Sequence, residues 1–278
     1  MAIYDINGNN IDESGGTVQA LNYDSTVKGI NHRGFNSIAP ENTLPAYKLS
    51  KNEGFFYVET DVSFTSDGVA VLLHDNTINR TARNADGSEI SETINISSIT
   101  YEQALTYDFG IWKSSAYAGT KIPTLDEFLT LCKNIILHPY IELKSNGNYT
   151  QAQVEGVVDA VEKHGLKGLV SYISFNSTYL SYIKNYDSSA RLGLVASGTG
   201  SDGMISTASG LKTTDNEVFL DTYDKSDTWI QKCISAELPL EIWTVDSAAT
   251  IRSINPYISG VTSNSLIAGK VLYDANIA

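Results

Sequence analysis

The alternation of short apolar runs with helix-like segments is the feature that most limits the folds open to this chain. From Val27 onward about eight strand-like runs can be distinguished, mostly separated by amphipathic segments. Such alternation is typical of parallel sheets with crossover helices, and 278 residues suffice to close eight such units into one barrel. We therefore predict a (β/α)8 TIM barrel, with an open doubly wound sheet as the alternative. The sequence has no GxGxxG or GxxxxGK[ST] motif, which disfavours a dinucleotide or P-loop fold.

The chain divides into a polar beginning and a longer patterned part. Residues 1–26 are rich in Asn, Asp, Gly and Ser, and we predict an N-terminal extension there with one short strand at Thr17 to Leu21. Residues 27–278 are predicted to form the barrel and to end in a helix over Ser265 to Ala275. Residues 76–120, after the second strand region, show weak periodicity, so we expect a small insertion that forms a lid or wall over a site.

The charge of the chain excludes some partners. Nineteen basic and 32 acidic residues give a net charge of −13, which argues against nucleic acid or an anionic membrane as the principal partner. A small anionic substrate remains compatible if a cation or local Arg and Lys side chains offset the field. Cys132 and Cys233 stand alone in apolar, helix-like runs without CxxC spacing, so we expect two buried thiols.

Membrane and export signals are also lacking in the sequence. No run approaches the ~18 apolar residues of a membrane span, so no transmembrane segment is expected. The segment Met1 to Asp5 lacks a basic region followed by an apolar core, which predicts no signal peptide. The expected location is the cytoplasm or a larger assembly, or outside the cell if a leader has been removed.

Two carboxylates, Glu59 and Asp61, lie two residues apart in an apolar, β-branched and aromatic run that indicates a strand. Strand side chains alternate between faces, so both point the same way, with Cα atoms about 6–7 Å apart. They repel unless a cation, a shared proton or water intervenes. If Asp67 and Gly68 are the two loop residues of a hairpin, His74 lies opposite Asp61. A one-residue shift sets His74 opposite Glu59, so either register predicts an imidazole beside the carboxylates.

In a TIM barrel the functional side chains come from the carboxyl ends of the strands. Polar residues at predicted strand ends are His32, Arg33, Glu59, Asp61, His74, Glu142 and Lys144, and the ends near Phe175, Asp221, Trp243 and Thr262 complete the rim. Three carboxylates with few nitrogen or sulfur ligands suit Mg²⁺ or Ca²⁺. Two histidines suit acid–base work near neutral pH. Arg33 and Lys144 nearby favour an anionic phosphorus centre.

Several motifs together resemble those of the glycerophosphodiester phosphodiesterase family. They are His32-Arg33-Gly34, Ala39-Pro40-Glu41-Asn42-Thr43, Glu59-Thr60-Asp61, Asp67-Gly68 with Val71, His74-Asp75 with Arg80-Thr81, Ile122-Pro123-Thr124-Leu125 and Ile141-Glu142-Leu143-Lys144. Their order and spacing fit the family from about Val27 to the C-terminus. Trp243-Thr244-Val245-Asp246 resembles the family's late strand, whereas Gly260-Val261-Thr262-Ser263-Asn264 stands where an acidic residue and a proline are usual.

The resemblance implies metal-dependent hydrolysis of glycerophosphodiesters to glycerol 3-phosphate and an alcohol. It implies one divalent cation, Ca²⁺ or Mg²⁺, held by Glu59, Asp61 and Glu142. His32 and His74 would be the acid–base pair that serves attack by the glycerol 2-hydroxyl on phosphorus, with His74 protonating the leaving alkoxide. The remaining expected roles are phosphate or ligand orientation for Arg33 and Lys144, cleft lining for Phe175 and Trp243, and bracing of Arg33 for Glu41.

Other functions remain open at this point. The substrate could be a glycerol phosphate polymer such as teichoic acid, with the chain part of a larger surface or phage-tail assembly. A phospholipase D-like activity on intact lipids would need a long apolar loop, which the sequence lacks. A non-catalytic binding module on the same barrel is the alternative from another class, and the presence of both histidines and all three carboxylates argues against it.

Overall fold

Eight parallel strands close into a barrel. The computed structural model describes residues 3–4, 10–11 and 27–264, and strands β1 (Ile3–Tyr4) and β2 (Asn10–Ile11) form a separate antiparallel pair. The main sheet contains β3 (Lys28–Asn31), β4 (Tyr57–Phe64), β5 (Ala70–Leu72), β6 (His138–Leu143), β7 (Ser171–Ser174), β8 (Arg191–Ala196), β9 (Val218–Thr222), β10 (Leu240–Ile242) and β11 (Ile258–Ser263). Because β3 pairs in parallel with both β4 and β11, the sheet has no open edge between them. The predicted TIM barrel is confirmed, and the open sheet is excluded.

Helices cover the outside of the barrel. They are α1 (Leu44–Asn52), α2 (Tyr101–Ala104), α3 (Leu125–Ile135), α4 (Gln151–Lys163), α5 (Ser177–Tyr186), α6 (Asp202–Gly210), α7 (Asp227–Ser235) and α8 (Ala248–Arg252). In α4 four valines share one face and are buried in the main hydrophobic cluster, as the 3.6-residue period requires. Thr124 and Glu127 form a capping box at the start of α3. Helix α6 is not indicated by the sequence pattern.

Several smaller expectations have mixed outcomes. Cys132 and Cys233 are buried free thiols, as predicted. The strand expected at Thr17 to Leu21 and the helix expected over Ser265 to Ala275 lie outside the described residues. Among the residues that are described, no helix is long and apolar enough to cross a bilayer. The division into an extension, a barrel and an insertion stays a prediction.

The segment between β5 and α3 packs around a small apolar cluster of its own. Ile78, Phe109 and Ile122 belong to this cluster, together with Val71 and Leu73 from the hairpin. The segment reaches the upper end of the barrel through Lys113, whose ammonium donates a hydrogen bond to the carbonyl oxygen of Asn36 at 2.6 Å. It therefore braces one side of the strand ends.

The loop of the β4–β5 hairpin consists of the three residues 66–68, between the hydrogen-bonded Thr65 and Val69. Both predicted registers are therefore wrong. Phe64 pairs with Ala70, and the Thr65 amide donates to the Val69 carbonyl oxygen at 3.0 Å. Gly68 at the end of the loop has φ +81°, the left-handed conformation that glycine adopts without strain. Neither carboxylate is paired with His74, because β5 ends at Leu72, two residues before it.

A charged network fills the amino-terminal end of the barrel interior. The fully buried Glu241 accepts hydrogen bonds at Oε1 from Arg191 at 2.9 Å, Lys28 at 3.3 Å and the Tyr140 hydroxyl at 3.1 Å. Gly260 allows this close approach, because a Cβ atom there would lie 2.7 Å from Glu241 Cδ. The network thus closes the floor of the barrel below an apolar interior layer.

We expect Glu241→Leu to lower the free energy of unfolding by about 3 kcal/mol, because the substitution leaves the Arg191 charge buried with less compensation. Urea denaturation measures this change. Lys232→Ala serves as the control, since it breaks an exposed ion pair with Asp202 and should cost less than about 1 kcal/mol. Equal costs for the two variants would contradict the structural role assigned to the network.

Candidate active site

The carboxyl ends of the barrel strands surround one cavity of about 270 Å³. Its lining includes most of the sequence-predicted site residues, namely His32, Arg33, Glu59, His74, Glu142, Lys144, Phe175 and Trp243. Asp61 is fully buried beside the cavity, and Glu41 contacts Arg33 from outside its lining. Segments far apart in the sequence therefore meet at one site.

Three carboxylates form a compact buried cluster. Glu59, Asp61 and Glu142 each offer one oxygen, and these three oxygens all lie within 4.8 Å of one another. Strand pairing causes this closeness, because Asp61 on β4 is the direct neighbour of Glu142 on β6. Glu59 Oε1, Asp61 Oδ1 and Glu142 Oε1 have no hydrogen-bond partner among the described residues. Buried oxygens of this kind are normally satisfied, and such a set fits a hard divalent cation.

Two basic side chains supply part of the missing positive charge. Lys144 Nζ lies 2.8 Å from Glu142 Oε1 and 3.2 Å from Asp61 Oδ1. Both are close ion contacts between a buried ammonium and two carboxylate oxygens. Arg33 Nε lies 3.2 Å from Asp61 Oδ2, and the Arg33 amide donates to Glu59 at 2.9 Å. Three carboxylates and two cations leave one negative charge uncompensated when all are ionised.

The three carboxyl groups of the cluster have different pKa values, because their charged neighbours differ. Burial, followed by repulsion from Asp61, raises the pKa of Glu59 well above its usual value and that of Glu142 to about 7. Burial also opposes ionisation of Asp61, but the adjacent Lys144 and Arg33 outweigh it and lower the Asp61 pKa. A divalent cation would favour the ionised form of all three groups.

The two histidines have different partners. His32 Nδ1 lies 2.7 Å from Asn264 Oδ1, and that oxygen also accepts from the Asn36 amide at 2.7 Å. The Asn264 amide nitrogen donates to Asp246 at 2.8 Å, so the amide orientation is set and the proton lies on His32 Nδ1. The unprotonated Nε2 then faces Glu59, 3.9 Å from Oε2. Burial, with the Arg33 charge, lowers the pKa of His32 to about 4.

His74 is paired with a carboxylate. Its Nδ1 lies 2.6 Å from Asp75 Oδ1, and Arg80 binds the other Asp75 oxygen at 2.6 Å. Against the effect of burial, Arg80 and His74 lower the pKa of Asp75 to about 2, so Asp75 is ionised. Arg80 also makes two 2.8 Å hydrogen bonds to Glu41, which binds Arg33 at 2.9 Å. Glu41 therefore braces two arginines at once.

Two aromatic rings, those of Phe175 and Trp243, line the cavity, and Tyr223 lies next to Trp243 outside the lining. Phe175 and Trp243 meet edge to face with centroids 5.7 Å apart, and Tyr223 lies 6.4 Å from Trp243. Phe175 is 38% exposed and Tyr223 57% exposed. The Trp243 indole N–H donates to the Asp221 carbonyl oxygen at 3.0 Å, which fixes the ring.

Several residues around the site escaped the sequence analysis. The side-chain amide of Asn42 donates to Asp61 at 2.7 Å, and its backbone has φ +54°. Thr43 occupies the N-cap position without a side-chain cap and donates to the Pro40 carbonyl oxygen. Asn264 stood out only as a departure from the family motif. The positive φ of Asn42 and the contact between Asn264 and His32, which are 232 residues apart in the sequence, become visible only in the folded structure.

Comparisons with known proteins place the chain in a family. The glycerophosphoryl diester phosphodiesterase family model matches residues 32–264. A glycerophosphodiester phosphodiesterase of Caldanaerobacter subterraneus subsp. tengcongensis is 31% identical over 60% of this chain and 65% of its own length. Mouse glycerophosphodiester phosphodiesterase 1 is 34% identical over 50% of this chain but 40% of its own length. The chain thus spans about two fifths to two thirds of these relatives.

Solved structures share the fold. A glycerophosphodiester phosphodiesterase from Agrobacterium tumefaciens matches 87% of this chain and 99% of its own, with a TM-score of 0.69 and 23% identity. A phosphodiesterase from Oleispira antarctica, solved with the product sn-glycerol-3-phosphate, matches 89% of this chain and 96% of its own, with a TM-score of 0.71 and 22% identity. With the family model covering most of its length, the chain belongs to the glycerophosphoryl diester phosphodiesterase family.

Proposed function

We propose that this chain is a metal-dependent phosphodiesterase that hydrolyses glycerophosphodiesters to glycerol 3-phosphate and an alcohol. The observation that carries the proposal is the meeting of a three-carboxylate cluster, two histidines and two basic side chains in one cavity. Family membership and the product bound in the Oleispira antarctica relative support it. The 270 Å³ cavity suits a small diester.

Glu59, Asp61 and Glu142 would hold one divalent cation, Ca²⁺ or Mg²⁺. Their three unsatisfied oxygens and the remaining negative charge support this assignment. When bound, the cation would polarise the phosphoryl oxygens and offset charge developing in the transition state. Arg33 and Lys144 would bind phosphate oxygens, which the negatively charged carboxylates repel.

His32 is the base in this proposal. Its Nε2 lone pair is free because Asn264 accepts the Nδ1 proton. It removes the proton of the glycerol 2-hydroxyl, whose oxygen bonds to phosphorus as the bond to the leaving alcohol breaks. His74 is the acid in this proposal. Burial lowers the pKa of His74, and the hydrogen bond to the ionised Asp75 acts in the opposite direction and favours the imidazolium form. It protonates the leaving alkoxide, and the roles reverse when water opens the cyclic phosphate.

Calcium or magnesium should raise the thermal stability of the purified chain, because a ligand that binds only the folded state stabilises it. At about 100 times its dissociation constant the gain is about 2.7 kcal/mol. Glu59→Gln should abolish the gain, as measured by thermal denaturation with and without CaCl₂ or MgCl₂. Glu92→Gln, at an exposed position, should keep it. A full gain in Glu59→Gln would refute the assigned ligands.

The chain should release glycerol 3-phosphate from glycerophosphocholine and glycerophosphoethanolamine, and EDTA should stop the release. His32→Ala and His74→Ala should each lower kcat by about 100- to 10,000-fold, because each removes a proton-transfer group. His164→Ala is the matched control, since His164 contacts Asp126 on the outer surface and should leave kcat unchanged. With metal supplied, failure to hydrolyse any small diester would overturn the proposed function.

Asn264→Leu should lower kcat about 10- to 100-fold with little change in KM, because His32 Nδ1 loses the acceptor that orients the ring. Asn264→Asp should recover part of kcat, since a carboxylate oxygen can accept the same proton although the donor to Asp246 is lost. Steady-state kinetics on glycerophosphocholine separate the two parameters. A rise in KM alone would mean that Asn264 contacts substrate rather than orienting His32.

A further inference from the structure

Asp221 is a buried carboxyl group that the mechanism above leaves unused. It lies at the end of β9, is 3% exposed and lines the cavity. Its Oδ1 has no hydrogen-bond partner among the described residues. A buried polar atom without a partner is costly, and natural proteins rarely keep one without a reason. Glu241, paired with Asp221 on the neighbouring strand, offers its own unpartnered Oε2 on one side. On the other side Asp221 lines the cavity, so a ligand can reach the carboxyl group from there.

The surroundings of Asp221 define the chemistry of that ligand. The cationic side chains of the interior are engaged elsewhere, with Lys144 and Arg33 at the carboxylate cluster and Arg191 at Glu241. Ile173 and Val195 give the adjoining cavity wall an apolar character. Burial, with the charges of Glu241 and Glu142, raises the pKa of Asp221 well above its usual value. A neutral carboxyl both donates and accepts a hydrogen bond, as a hydroxyl does.

We propose that Asp221 binds the free primary hydroxyl of the substrate's glycerol moiety, an assignment that rests on the proposed hydrolysis of glycerophosphodiesters. The phosphate belongs beside Arg33 and Lys144, because a carboxyl group repels it. The constant glycerol end then occupies the buried end of the cavity. The variable alcohol extends toward the open side, where the cavity-lining Phe175 is exposed.

This placement narrows the substrate class. A deacylated glycerophosphodiester has the free primary hydroxyl, and so does the terminal unit of a glycerol phosphate polymer. A lysolipid acylated at that hydroxyl lacks it, as do the internal units of a polymer linked through both primary positions. The chain should therefore digest such a polymer from its free end, and it should reject lysolipids acylated there.

The test compares glycerophosphocholine with its analogue in which propane-1,2-diol replaces glycerol. The analogue keeps the attacking 2-hydroxyl and lacks the primary hydroxyl. Wild-type protein with metal supplied should prefer glycerophosphocholine by about 100-fold or more in kcat/KM, because the analogue leaves Asp221 unpaired. Asp221→Asn should keep most of this preference, since the amide also donates and accepts. Asp221→Leu should reduce it to within a few fold.

Thermal denaturation gives an independent readout. Asp221→Leu should raise Tm, because leucine has the same branching at Cγ and removes an unpartnered buried polar group. Val195→Ala, at an apolar position of the same wall, should change kcat/KM for both substrates by a similar factor. Together these variants separate the loss of a hydrogen bond from general damage to the cavity.

Each outcome has a definite reading. A lost preference with a maintained or raised Tm in Asp221→Leu supports the subsite. Equal hydrolysis of both substrates by the wild type overturns the subsite and leaves the proposed function standing. An equal loss of rate on both substrates with a lowered Tm makes Asp221 a structural residue and also overturns it. Hydrolysis of neither substrate overturns the proposed function itself, and the subsite with it.

Discussion

The parallel pairing of β4 with β6 brings Asp61 and Glu142 together as direct neighbours, and the period of the strand adds Glu59 on the same face. Three carboxylates at the end of two adjacent strands repel one another, and all three are largely buried. Arg33 and Lys144 lie beside the carboxylates and neutralise part of their charge, and one negative charge remains uncompensated. The arrangement of the surrounding groups follows from this concentration of negative charge. Some of them neutralise the carboxylates, and others hold those basic side chains in place.

The residues behind the cluster hold it through a chain of polar contacts. Glu41 joins Arg33 to Arg80, and Arg80 holds Asp75 against His74. On the other side Asn264 links His32 to Asp246. One imidazole therefore has a neutral amide behind it and the other an ionised carboxylate. That difference separates the two histidines chemically although both line the same cavity, and it is the physical basis for giving them opposite roles.

The sequence predicts the barrel because the relevant signals are local. Hydrophobic period and capping residues identify most strands and helices, and the carboxyl-end rule then collects the polar strand ends. The hairpin register could not be counted from the turn, because the Thr65 hydroxyl contacts Asp67 and Val69 and closes a loop that includes Ser66. Helix α6 was missed because its glycines, serines and threonine have low helix propensity. Burial of Ala208 against the barrel compensates for that weakness.

Partners distant in the sequence were harder to predict for a different reason. Asn264 meets His32 only when β11 pairs with β3 and closes the barrel. Asp221 could be assigned to the rim from its place at a strand end, but its lack of a partner is a property of the folded interior.

The two ends of the barrel interior treat buried charge differently, and this contrast locates function independently of any motif. At the amino-terminal end Glu241 Oε1 accepts from Arg191, Lys28 and Tyr140, and Oε2 of the same group is the one carboxylate oxygen there without a partner among the described residues. At the carboxyl end most of the unsatisfied buried oxygens collect around one cavity, on Glu59, Asp61, Glu142 and Asp221. Unsatisfied groups lower stability, so a fold retains them where a ligand completes their coordination. The carboxyl end is therefore where ligands can complete the interior, as the proposed cation would at the cluster and the proposed glycerol hydroxyl would beside it.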